Sequence, residues 1–233
     1  MLYPMSPLTS FSGLLVPEFA ADLSANNRMR MNRISSAALG ATLTYSALCS
    51  VFLYSFSAEL AETVYRSSEA AEYLAILATV VPIMYLDHVT DSMLKGVGDH
   101  VYSMWVNITD SLLSLVLVYF LIPSMGIVGY ALVIIIMESY NFLLSYFRLM
   151  KRVNFRISIV RSLILPALIA SFSVWVSDTV LLFGGVMTAS RLIIRIVFAL
   201  CLFVAMKSLL DCCASLYADK KQSKISLKKG QMP

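Results

Sequence analysis

Charge is scarce in this sequence. Asp, Glu, Lys and Arg make up 14% of its 233 residues, and 59% are hydrophobic, against roughly 25% charged in an ordinary soluble domain. Cysteine is sparse and unpatterned: Cys49 and Cys201 fall inside apolar stretches, Cys212 and Cys213 are neighbours, and no CxxC spacing occurs. That pattern supports neither a disulfide framework nor a zinc site, so no metal is expected. The two cysteines at 212 and 213 read as small apolar residues at a helix end. Only two histidines occur, and no Ser/His/Asp or Cys/His set accompanies them, which argues against an enzyme and gives no cofactor. The amino-terminal stretch lacks the basic region of a cleavable signal, and Pro4, Pro7 and Pro17 interrupt it. It reads as a short or incomplete membrane helix. The net charge of +4 does not point to nucleic acid, because the bases sit in links between apolar blocks and form no basic face interleaved with aromatics.

What remains is long apolar runs. These are uninterrupted helical blocks, not the roughly ten-residue alternating segments of an outer-membrane barrel, so the predicted fold is an all-α, polytopic membrane helix bundle. About seven segments are expected, near 5–20, 34–56, 69–94, 101–122, 127–147, 157–176 and 187–210. A helix rises ~1.5 Å per residue and the hydrocarbon is ~30 Å thick. The 34–56 block therefore crosses with some tilt. Residues 1–152 hold five of the segments, 153–210 hold two more, and 211–233 form a basic tail. That tail lacks apolar residues for a core and reads as disordered, held near membrane lipids by its lysines. The links at 22–33, 148–156 and 207–233 and the turn at Lys95 are rich in Lys and Arg, whereas those at 57–68, 123–126 and 177–186 contain only Arg66. Positive links stay cytoplasmic. This predicts Met1 outside and the carboxyl terminus inside.

The most polar membrane stretch is the hairpin from Glu69 to Ile122, turning at Gly96-Val97-Gly98. Asp91 lies seven residues before Gly98 and Asn107 nine after; Asp87 lies eleven before and Asp110 twelve after. Equal depth predicts Asp87 near Asp110 and Asp91 near Asn107. Asp87, Asp91 and Lys95 follow i, i+4 spacing on one face. Asp91 and Lys95 read as an ion pair at the surface, since charges near helix ends are cheap to keep. A carboxylate two turns inside the bilayer normally faces a cavity or pathway, so Asp87 and Asp110 are pathway candidates, and Asn107 beside them is counted with the pathway. Glu138 and Asn141, one turn apart, mark either a second cavity or a helix contact. Arg191 and Arg195, also one turn apart, read as structural or surface ion-pair candidates, snorkelling to the outer headgroups in preference to touching substrate. Pro82 and Pro166 kink their helices. Asn107-Ile108-Thr109 matches a glycosylation sequon, but the topology places it near the cytoplasmic side. Gly96-Val97-Gly98 is a helix stop with no preceding strand, not a nucleotide loop.

Several ordered motifs run along the chain. They are Ser10 to Pro17 ending Leu14-Leu15-Val16-Pro17-Glu18, Tyr73-Leu74-Ala75-Ile76-Leu77 through Pro82, Tyr85-Leu86-Asp87, and Leu94-Lys95-Gly96-Val97-Gly98. Leu121-Ile122-Pro123, Gly126-Ile127-Val128-Gly129-Tyr130, Asn141-Phe142-Leu143-Leu144-Ser145 and Arg148-Leu149 follow. In order and spacing these resemble the stage V sporulation protein B and polysaccharide-biosynthesis flippases of the multidrug/oligosaccharidyl-lipid/polysaccharide exporter superfamily, up to about Arg152. The resemblance implies two six-helix lobes around a cavity that opens alternately to either side, often with two extra helices. It implies a lipid-linked glycan or peptidoglycan precursor as substrate and the bacterial cytoplasmic membrane as location. On that pattern the segments look like the eighth to fourteenth helices, the second lobe plus two extra helices of a MATE-like flippase. The amino-terminal lobe would then be a missing partner. A cation-coupled multidrug exporter of the same fold and a non-transporting membrane scaffold are the competing readings.

Overall fold

Because apolar blocks in lipid must satisfy their own backbone groups, helices are the expected solution, and the described residues contain helices and turns with no strand. The computed structural model describes residues 2–67, 69–155, 157–181 and 189–229. In order come α1 (Leu2–Ser24), α2 (Arg28–Ser55), the single turn α3 (Ser57–Leu60), a π-helical turn (Ala61–Tyr65), α4 (Glu69–Ala78), α5 (Val81–Gly96) and α6 (His100–Arg152). A second π-helical turn (Val160–Ile164), α7 (Leu165–Leu181) and α8 (Ala189–Lys229) follow. Among the described residues four helices are long and apolar enough to cross a membrane, or five if α4 and α5, bent by 50° at their junction, count as one broken span. Pro82 stands in the first turn of α5, where its missing N–H costs least.

The turn expected at Pro123 to Gly126 is present inside α6. Gly126 has φ 57° and ψ −135°, a backbone that only glycine adopts without strain. It separates an arm over 100–125 from an arm over 127–152. Contacts between the arms run antiparallel: Tyr102 Oη donates to the Leu144 carbonyl at 3.2 Å and Tyr140 Oη to Thr109 Oγ1 at 3.4 Å. Beside the turn, a Cβ on Gly129 would stand 2.4 Å from the Leu121 carbonyl oxygen, so the arms touch there because residue 129 has no side chain.

The prolines of the first segment do not interrupt it. α1 is continuous for 23 residues with Pro7 and Pro17 inside, and Leu8, Ser12, Leu15, Phe19 and Asp22 are buried. Their alternating spacing of four and three is one helical face, which holds the helix together against its prolines. The last helix, α8, runs to Lys229.

The chain divides into two compact units, Met1–Ala167 and Leu168–Pro233. In the first, α5 is the central rod, packed on α1, α2 and α6. Val81, Tyr85, Val89 and Met93 are fully buried and recur every fourth residue. Where α1 crosses α5, a Cβ on Gly96 would lie 2.6 Å from Phe19 Cβ and 3.0 Å from the Val16 carbonyl oxygen. The basic links gather at one end of this unit. Arg30 binds Glu18 and Asp22, each at 2.9 Å, and the Asn154 amide donates to Asn32 Oδ1 at 3.0 Å. In the second unit, Ser177 Oγ donates to the Arg195 carbonyl at 3.1 Å and Arg195 pairs with Asp178.

Candidate functional site

Polar residues on the second arm of α6 fall at 138, 141, 145, 148 and 152, in steps of three and four. That spacing makes a single helical stripe. Starting from the middle of the arm, it reads Glu138, Asn141, Ser145, Arg148 and Arg152, and it faces α5 and the first arm. Ser145 is buried beside the Asp87 carboxylate, and Glu138, Asp91 and Asp110 stand close enough for their charges to act on Asp87. Asn141 stands beside Asp110. The structure thus brings Asp87, Asp110, Glu138 and Asn141 together from three helical segments.

All four are half-buried, so the group forms a strip open on one side instead of a closed core. Asp87 Oδ1 and Asn141 Oδ1 are buried atoms with no hydrogen-bond partner among the described residues, a state that is costly in an apolar setting unless water or a ligand reaches it. No three of His, Cys, Asp or Glu among the described residues stand close enough to hold one metal ion. The carboxylates line a surface and do not converge on a point.

Asp91 and Lys95 pair at 2.6 Å across one helical turn, and Asp91 also accepts from Ser103 Oγ. The expected neighbour, Asn107, is a correction. Its side chain is exposed on the first arm and its carbonyl accepts from Ser111. Equal distance from the turn fixes depth but not azimuth, and Ser103, one turn closer to the hairpin, carries the hydroxyl that faces Asp91. His88 lies on the α1 side, where its Nε2 is 3.0 Å from Ser12 Oγ. That hydroxyl donates to the Thr9 carbonyl at 3.0 Å, so it is not poised as a nucleophile.

Arg195, an ion-pair candidate, is 4% exposed and pairs with Asp178 of the preceding helix, so its charge is met inside its own unit and not by headgroups. The side chain of Arg191 lies outside the described residues.

Sequence reasoning also missed Asp99. This buried residue follows the Gly98 turn and accepts from Arg148 Nε at 2.9 Å and Nη2 at 3.2 Å, and from Arg152 Nε at 2.9 Å and Nη2 at 2.7 Å. The Arg152 guanidinium, then that of Arg148, holds the Asp99 carboxyl below the usual range against the opposing effect of burial. Arg148 additionally lies 4.9 Å over the Tyr102 ring, a cation–π contact. The signal was available: an acid in a turn on the side of the bilayer where the bases of 148–156 emerge. Away from the strip, a cavity of about 560 Å³ is lined by Ala58, Glu62, Arg66, Ser67 and Ala71.

Long apolar helices enclosing half-buried carboxylates define a multi-pass helical membrane protein with a polar strip in its interior. Residues 5–120, just under half of the chain, match the family model described as MatE. That stretch covers α1 to α5 and most of the first arm of α6, including Asp87 and Asp110, and the match supports a membrane transporter of the MATE/MOP flippase kind. Members of the MatE family are transporters, not enzymes. No curated protein matches the chain.

Proposed function

We propose that this chain forms one wall of a transporter that moves a lipid-linked glycan precursor across the bacterial cytoplasmic membrane by alternating access. The observation that carries the reading is the strip of Asp87, Asp110, Glu138 and Asn141, half-buried on three packed apolar segments. Carboxylates at that depth are expensive and are kept where water or a polar substrate passes. The MatE match supports the transporter class, and the ordered motifs up to Arg152 support the flippase branch. Alternating access needs a second wall to rock against this one. The basic links support an orientation with the Asp99 end on the cytoplasmic side.

The test is reconstitution of the full protein in liposomes with a fluorescent undecaprenyl-pyrophosphate-linked sugar in one leaflet. Movement of the label to the other leaflet is expected. A second reading, a cation-coupled drug exporter, draws on the approach of Glu138, Asp91 and Asp110 to Asp87. Drug efflux that collapses in Asp87→Asn, with the lipid-linked label unmoved in the wild-type protein, would favour it. A membrane scaffold predicts neither movement.

A further inference from the structure

The polar stripe of the second α6 arm ends in Arg148 and Arg152, both bound to the single carboxylate of Asp99. We infer that this clasp is a positioning device: it fixes the axial register of the second arm, and so determines which of its residues stand opposite Asp87 and Asp110.

Apolar contacts between two membrane helices set their separation but only weakly their register, because one leucine fits a groove about as well as another one turn away. Directional, charge-assisted bonds are different. Asp99 offers two oxygens, and each guanidinium donates to both of them. A slip of one turn, ~5.4 Å, would break all four bonds. Setting register is the best-attested use of a buried polar pair. The far end of the hairpin is constrained by Gly126 at positive φ and by the close approach at Gly129. The arm is therefore pinned at both ends, with the strip between them. Tyr102 couples the two: its ring lies under Arg148, and its hydroxyl reaches the carbonyl of Leu144, next to Ser145 beside Asp87.

The inference rests on the reading that the strip lines the substrate route, but its test does not require transport. Thr109→Cys and Tyr140→Cys place thiols where the native side chains meet across the arms. Thr109→Cys with Leu144→Cys samples a register one turn away. A short bis-methanethiosulfonate crosslinker is applied to the full protein in nanodiscs, with the two arms separated by a protease site engineered at the Gly126 turn and cleaved after crosslinking. With Asp99 intact, the 109/140 pair is expected to crosslink and the 109/144 pair to react poorly. Asp99→Asn should lower the first yield several-fold and raise the second, and Asp99→Glu should restore the native pattern. If Asp99→Asn does not fold, Arg148→Gln, which leaves Arg152 on Asp99, should give a smaller shift in the same direction. An unchanged 109/140 yield in either variant, alongside a lowered melting temperature, would overturn the inference and leave the clasp with stability alone. If the register shifts but Asp87→Leu transports normally, the positioning stands and the pathway reading fails.

Discussion

Asp99 shows how one short side chain can serve two long ones. With its folded-state carboxyl held below the ordinary range by Arg152 and Arg148, the unfolded chain binds the proton first as the medium is acidified. Its contribution is fully present above the unfolded value of about 3.9 and is lost as pH falls through the lower folded value. The melting temperature of the detergent-solubilised protein should fall with acid below about pH 5, and Asp99→Asn should flatten that dependence while lowering stability at pH 7, by about 1 kcal/mol or less because the arginines are solvent-screened. An acid dependence identical in the two proteins would assign the effect to other carboxylates. At Gly96, alanine would place its Cβ 2.6 Å from Phe19 Cβ and 3.0 Å from a backbone oxygen of α1. The helices must separate to admit it, at about 1–3 kcal/mol. A melting temperature for Gly96→Ala equal to that of the parent would contradict this packing.

Helices and their ends carry a different kind of information. In the second unit, Arg195 is buried against Asp178 and receives a hydrogen bond from Ser177 at its carbonyl. Removing the acid takes the anionic partner from a buried guanidinium. Asp178→Ala is expected to destabilise the α7–α8 contact by about 3 kcal/mol, read as earlier unfolding in a denaturant titration, with Asp178→Glu largely retaining stability.

The apolar runs, the turn at Pro123 to Gly126, and the Asp91–Lys95 pair were legible in the sequence because each depends on spacing along one strand of chain. Depth was legible too, and it brought Asp87 towards Asp110. Azimuth was not. Whether Asn107 or Ser103 faces Asp91 depends on how two helices are rotated about their axes, which tertiary packing decides. The partner of Arg195 is hidden for a related reason, since Asp178 comes from the preceding helix across a link. The continuity of α1 through Pro7 and Pro17 likewise follows from the face it buries on its neighbours, not from its local propensity.

Across the first unit, the polar residues form a seam. It runs from Asp99 and its two arginines at one end, past Ser103 with Asp91 and Ser145 with Asp87, to Glu138 and Asn141 midway along the second arm. The outer part is closed by hydrogen bonds and ion pairs. The inner part keeps two buried oxygens, Asp87 Oδ1 and Asn141 Oδ1, without a partner among the described residues. Asp91 has Lys95 and Ser103 as partners, whereas Asp87 keeps an unpartnered oxygen, which is why the proposed route is drawn past Asp87 and the neighbouring Asp110 and not past Asp91.

The most direct test measures movement of the fluorescent lipid-linked sugar in liposomes for three variants normalised to folded protein: Asp87→Leu, Asp110→Leu and Asp91→Leu. The account predicts that the first two lose at least tenfold in rate, corresponding to about 1.4 kcal/mol or more in the barrier, and that the third loses less. Equal activity in all three, or a loss confined to Asp91→Leu, would contradict it.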